Sequence, residues 1–289
     1  MIVLKNFFKA FFVVFIIGEL SLRFLGFCNA PLFFSDMSFE YLALPNQSGY
    51  RFGNKYSYNE FSQRSSKISK KKKKILGVGD SIINGGVPTD QNDLATTIVS
   101  ESTSYQVLNI SAGSWGPDNV AAYIEKYGTF GAEQMILVCS SHDSHDNMDF
   151  QKIVGVHPSY PNKQYNFAWH ELFDRYLFEQ LFKKSYQGDH NVIKNGLNFN
   201  KGFDQLLNVA RKRNLSFVIY LHPELSELNS NKYTKQGLEI IDWANRKGVK
   251  LVRGLNQGLN ASNYRDNIHL NKFGQRELAR IFIDSLILQ

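Results

Sequence analysis

Five short apolar runs rich in β-branched residues recur along the second half and more of the chain: Ile75 to Val78, Val107 to Ile110, Met135 to Cys139, Phe217 to Leu221 and Val249 to Val252. Their separations suit crossover helices, and the intervening segments supply them. Helices are predicted over Asp93 to Glu101, Val120 to Tyr127, Phe203 to Arg213 and Tyr233 to Lys247, the last stopped by Gly248 as a C-terminal cap. A final helix is predicted from Gln275 to Leu288, because Leu278, Ile281, Phe282, Leu286 and Ile287 repeat at helical spacing after Gly274. This alternation predicts an α/β domain: a parallel five-stranded sheet with helices on both faces, in three α/β/α layers.

The pattern changes outside that domain. From Ala10 to Gly18, and again from Leu20 to Cys28, the chain is apolar, with Lys5 and Lys9 ahead of it. Residues 1–30 therefore read as a signal anchor or transmembrane helix, with the catalytic domain extracytoplasmic, in the periplasm or at the cell exterior. Glu19 and Arg23 interrupt this stretch at a spacing of four, where they could neutralise each other on a helix, although such a pair is costly in lipid. Residues 31–74 carry Tyr41, Tyr50, Phe52, Tyr56 and Tyr58, which suggest short strands wrapping the 75–289 domain. Within that domain, about 149–200 is longer than a crossover needs and thick with aromatics. It reads as a lid or substrate-side insertion, because ligands in open parallel sheets bind beyond the carboxyl ends of the strands.

Charge and cysteine content alter little. The formal charge is +7, but Lys70 to Lys74 form a single run beside a strand and read as solvated. No nucleic-acid motif accompanies them, so nucleic acid is not an expected partner. Two cysteines, Cys28 and Cys139, give no disulfide framework. Nothing in the sequence sets an oligomeric state.

The chemistry lies at strand ends. Gly79-Asp80-Ser81 follows the first core run, placing the Ser81 hydroxyl where a strand ends and a turn opens toward a helix. Near the other end of the chain, Asp266-Asn-Ile-His269 puts an acid three residues before a histidine, just ahead of the last helix. A serine so placed can be activated by a histidine that has its own carboxylate.

In these two blocks the chain resembles the SGNH/GDSL hydrolase superfamily, and in particular its membrane-anchored, envelope-associated members. The resemblance runs from about Ile75 to Leu288 and implies a flavodoxin-like sheet, with Ser81, Asp266 and His269 as catalytic triad. It implies an oxyanion hole formed by the Ser81 N–H and by Gly113, which ends an Asn-x-x-x-Gly segment starting at Asn109. The third strand end departs from the family. Where Gly-x-Asn-Asp is usual, this chain has Ser140-Ser141-His142-Asp143, which puts His142 in the place of the oxyanion asparagine. An imidazole N–H can donate to an oxyanion as an amide does.

Asp80, Trp115, Asp143 and His222 are candidates for the substrate cleft, and Trp115, Tyr160, Tyr165 and Trp169 for stacking on sugar rings. His142, Asp143, His145 and Asp146 admit a metal reading, but no second cluster of telling spacing supports it, and neither metal nor cofactor is expected. Ala112-Gly-Ser114-Trp-Gly116 approximates a nucleophile elbow, which would make Ser114 the nucleophile of an α/β-hydrolase and leave Ser81 idle. The resulting expectation is an ester hydrolase removing acyl groups, acetyl above all, from a cell-envelope or exported glycan. One alternative keeps the triad but transfers the acyl group onto a glycan; another is a degenerate domain that binds glycan without catalysis.

Overall fold

A computed structural model describes residues 2–178 and 196–287. The chain starts with α1 (Ile2–Phe24) and two antiparallel hairpins, β1 (Phe33–Asp36) with β2 (Glu40–Ala43) and β3 (Gln47–Arg51) with β4 (Asn54–Tyr58). Then come β5 (Lys73–Gly79), α2 (Ser81–Asn84), α3 (Ala95–Ser102), β6 (Tyr105–Ser111), α4 (Pro117–Tyr127) and β7 (Gln134–Cys139). After the short α5 (Ala168–Leu172), the described chain continues through α6 (Gly202–Arg213), β8 (Ser216–Leu221), α7 (Leu225–Ser230), α8 (Lys235–Lys247), β9 (Lys250–Arg253) and α9 (Lys272–Ile281).

All five predicted runs become strands, the last one residue later than expected, and they form one parallel sheet in the order β6-β5-β7-β8-β9. Counted from β5 this is 2-1-3-4-5, the flavodoxin-like order, whose crevice opens where the strand order reverses beside β5. Alternate residues on each strand face opposite layers, as the pleat requires. Leu76, Val78, Leu137 and Ile219 pack with α4, α6 and α8 on one side, joined by Phe39 and Tyr41 of the wrapping hairpin. Ile75, Val107, Ile136 and Val218 pack with α3 and α9 on the other.

Several predicted helix boundaries shift by two or three residues, to Ala95, Pro117 and Lys235 among them, and those of α9 move for local reasons. α9 begins at Lys272 rather than Gln275, because the Asn271 side chain accepts hydrogen bonds from the Phe273 and Gly274 N–H groups and caps the helix there. Gly274 is thus inside the helix, pressed so closely to the Asn263 carbonyl that a side chain would collide with it. Past Ile281 the helix loosens into a π turn, Phe282–Leu286, and the predicted end at Leu288 lies outside the described residues. α8 ends as expected, with Gly248 at φ +67°.

Of the 149–200 segment, residues 179–195 lie outside the described residues. The rest is largely irregular and braces α1. Glu19 and Arg23 do pair, at 2.7 Å, but they also reach the domain: Glu19 accepts from the Ala168 and Trp169 N–H groups, and Arg23 donates to the Asn166 carbonyl. Beyond this junction Phe7, Phe8, Phe11, Phe12, Val14 and Ile17 are exposed. No described helix is long and apolar enough to cross a membrane. Just below, buried Glu171 accepts from the Cys28 N–H and binds Arg51 at 2.5 Å and Arg175 at 3.2 Å.

A second buried arginine, Arg64, donates to the carbonyls of Asn84, Gly86 and Thr89, and so fixes the loop after α2.

The Glu171 carboxylate leaves a measurable signature. Glu171→Ala strands the Arg51 guanidinium in the interior and is expected to cost about 3–5 kcal/mol of stability, seen as a lower urea midpoint; an unchanged midpoint would show the pair to be dispensable.

Candidate active site

Register sets the height of the site. Gly79 is level with Ser111 on β6 and Val138 on β7, and Val138 with Tyr220 on β8. Two residues beyond each of these come Ser81, Gly113, Ser140 and His222. Four segments therefore deliver polar residues to one edge, at the carboxyl ends of the strands.

Ser81 opens α2, whose N-cap is Asp80: its Oδ1 accepts from the Ile82 N–H at 2.8 Å. The Ser81 hydroxyl lies 2.8 Å from His269 Nε2, and His269 Nδ1 lies 2.8 and 3.0 Å from the two Asp266 oxygens. With a carboxylate at Nδ1, that nitrogen carries the proton and Nε2 offers its lone pair to the serine. Burial pushes the Asp266 carboxyl up, but the His269 and Ile268 N–H groups and the imidazole outweigh it and hold it below its ordinary range. Burial lowers the His269 imidazole; Asp266 opposes that, and the Arg265 and His142 charges add to it, leaving it below its ordinary value. The loop carrying the histidine is held by His222, whose Nε2–H donates to the Ile268 carbonyl at 2.9 Å. Burial drives the His222 ring down to about 4, so it stays neutral.

The expected oxyanion donors lie nearby. Neither the Ser81 N–H nor the Gly113 N–H donates a hydrogen bond within the described residues. Gly113 is pinned through its carbonyl, which accepts from the phenols of Tyr41 at 2.7 Å and Tyr160 at 3.0 Å. His142 Nδ1 faces Ser140 Oγ at 2.8 Å and Glu224 Oε1 at 3.3 Å, while its Nε2 stands 4.0 Å from Asp80 Oδ2, too far for a hydrogen bond. Burial works against its charge, but Asp143, Glu224, Asp80 and Asp146 overcome this and push the imidazole up to about 10. Asp80, buried and facing Asp143, is itself pushed up to about 7.

Asp80, His142 and Asp143 offer ligand atoms within 4.8 Å of one another. In this arrangement His142, its charged form favoured by Asp143, Glu224 and Asp80, stands as counter-ion to the two buried acids. His145 turns away to Glu239, at 2.6 Å.

The four cleft candidates are corrected. Asp80 is 2% exposed, Asp143 1%, and Trp115 and His222 0%. Their hydrogen bonds run inward: Trp115 Nε1 donates to the Tyr41 carbonyl, Asp143 accepts from the Ser140 N–H, and His222 Nε2–H donates to the Ile268 carbonyl. The cavity on which Ser81 and His269 actually open, of about 380 Å³, is walled by the loop after α2, by Pro31, Phe33 and Phe52, and by Tyr160, Arg175 and Arg265. Of the proposed sugar-stacking aromatics, only Tyr160 borders it. Trp169 stacks on Phe15 of α1 and donates to its carbonyl, and the Tyr165 hydroxyl donates to Asp174. Ser114 lies beside the Tyr160 phenol, and the His269 ring goes to Ser81 instead. Sequence reasoning missed Arg51, Arg175 and Arg265; no local pattern marks them, since three distant segments must converge to form the wall.

No family model and no curated protein matches the chain. Among solved structures it is similar to a lipolytic protein of the G-D-S-L family from Veillonella parvula, at 11% identity over 73% of this chain and 97% of that one, with a TM-score of 0.43. It is similar to an acetyl xylan esterase, at 15% identity over 74% and 100%, TM-score 0.44. A salicylyl-acyltransferase from a tetracycline biosynthetic pathway is 12% identical over 74% and 54%, TM-score 0.40. Likenesses this distant carry no weight on activity, and the catalytic assignment rests on side-chain geometry. The 2-1-3-4-5 parallel sheet makes this a flavodoxin-like three-layer α/β/α fold, and the serine turn at its switch point and the histidine loop before its last helix stand where the resemblance to SGNH/GDSL hydrolases implies.

Proposed function

We propose that the chain is a serine ester hydrolase that removes acyl groups, acetyl among them, from a glycan of the cell envelope or an exported polysaccharide. The observation that carries this reading is the continuous Ser81–His269–Asp266 hydrogen-bonded chain at the mouth of a cavity. Ser81 Oγ attacks the acyl carbonyl carbon while His269 Nε2 takes its proton, and Asp266 stabilises the imidazolium. The oxyanion is received by the Ser81 and Gly113 N–H groups and by the His142 Nε2–H. His269 returns the proton to the leaving alcohol, and the acyl-Ser81 ester is then cleaved by water, with His269 again as base. A sugar hydroxyl in place of that water would make the same site a transferase; free acid without acylated acceptor identifies hydrolysis.

The glycan and the envelope setting rest on the resemblance and on α1. With Glu19 and Arg23 engaged by the domain, the exposed apolar stretch of α1 suits a lipid environment, its Lys5 and Lys9 end toward the cytoplasm and the catalytic domain outside. Expressed as the full chain, the protein should sediment with membranes and resist a high-pH wash; recovery in the soluble fraction would remove the anchoring role.

Acetyl-ester turnover by the wild type should be lost in Ser81→Ala and retained in Ser114→Ala, whereas loss in Ser114→Ala alone would transfer the nucleophile to the elbow. Asp266→Asn should lower kcat by about 10²–10⁴-fold. The base works only when neutral, and its imidazole is held below 6.5, so kcat/KM should rise with pH along a limb centred below that value. An acid limb centred above it in an initial-rate profile would contradict His269 as the base.

A further inference from the structure

The cavity wall carries an unbalanced charge. Its charged side chains are Arg51, Arg175 and Arg265, with no carboxylate among the described residues that line it. Arg51 and Arg175 share one acid behind the wall, Glu171, so this pair keeps a surplus of one positive charge. Their remaining donors are largely committed, Arg175 Nη2 to the Pro158 carbonyl and Arg51 to the Gly26 carbonyl and the Tyr176 hydroxyl.

Arg265 is different. Its Nη1 donates to the Gly85 carbonyl and Thr89 Oγ1, both at 3.1 Å, bracing the histidine loop against the loop after α2. Its Nε stands 3.7 Å from Asp266 Oδ2, an ion pair beyond hydrogen-bond range. Its Nη2 makes no hydrogen bond within the described residues and lies over Gly86, which has no side chain to fill the space. Bracing explains Nη1 and leaves two Nη2 protons unspent in a half-buried wall next to the nucleophile. Three guanidiniums against two carboxylates, Glu171 and Asp266, leave the wall one positive charge in surplus, which suits an anionic occupant.

Building on the esterase reading, we infer that the substrate carries an anionic oxygen group, carboxylate or phosphate, beside the scissile ester, and that Arg265 Nη2 receives it with the Arg51 and Arg175 charges behind. The Nη2 N–H groups of a guanidinium can donate a charge-assisted hydrogen bond to either group. The substrate is then an acidic acylated glycan, a uronate or a sugar phosphate, rather than a neutral one.

The test uses the purified full chain and three acetylated probes that share a sugar ring: a methyl glucoside, a methyl glucuronoside and glucose 6-phosphate. The expected result is kcat/KM about tenfold or more higher for at least one anionic probe, the gain of one charge-assisted hydrogen bond. The probe preferred identifies carboxylate or phosphate as the group read. Arg265→Gln should bring the anionic-to-neutral ratio close to one, Arg265→Lys should restore part of it, and added salt should erode it in the wild type. Because Arg265 also touches Asp266, absolute rates fall in these variants, and the ratio is the readout. Equal kcat/KM for neutral and anionic probes in the wild type, or a ratio unchanged in Arg265→Gln, overturns the inference while leaving the esterase reading intact. If no probe is turned over, the esterase reading is what fails, and calorimetric titration of the Ser81→Ala chain with glucuronate, glucose 6-phosphate and glucose still decides the anion site: equal affinities overturn it.

Discussion

The close approach of β5 to β7 at Gly79 is the constraint from which the site follows. The backbone there takes φ +155°, and any Cβ would overlap the Val138 carbonyl oxygen of the neighbouring strand. Only glycine can pass, and the chain turns at once into Asp80 and Ser81. Because the sheet is parallel and in register, the same level on β6, β7 and β8 places Gly113, Ser140 and His222 around the serine. A one-residue slip on any of these strands would carry its contribution to the opposite face.

Placing Asp80 directly before Ser81 in the buried turn creates an electrostatic problem that the rest of the edge solves. Burial raises the proton affinity of both Asp80 and Asp143, and the charge of Asp143 raises that of Asp80 further. The imidazolium of His142, steadied by Glu224 from the far side, supplies the compensating charge. The histidine that departs from the family's usual residue is therefore bound to its setting. An amide in its place would leave two facing acids without a cation, and at least one would have to be protonated.

The parts of this arrangement legible in the sequence are local ones. A β-branched run followed by Gly-Asp-Ser, and an acid three residues before a histidine, fix their own geometry within a turn, and both landed where expected. The five strands were readable for the same reason. Burial was not, because a polar residue after a strand can face solvent or the interior: Asp80, Asp143 and His222 looked like cleft residues and are sealed by neighbours remote in sequence. Glu19 and Arg23 read as a burden on an apolar helix, but their partners at Asn166, Ala168 and Trp169 lie more than a hundred residues away. Arg265 carries no mark in the sequence beyond its neighbour Asp266, because its setting is made by Gly85 and Thr89, far away along the chain, which hold its Nη1.

Tyr160 belongs to the segment between β7 and α6, yet its hydroxyl is one of the two that grip the Gly113 carbonyl, and its ring also walls the cavity. Without the Tyr160 hydroxyl, the Gly113 carbonyl would be held by Tyr41 alone. One phenol thus serves two ends, so a substitution that removes it would reshape the cavity wall and loosen the Gly113 backbone together.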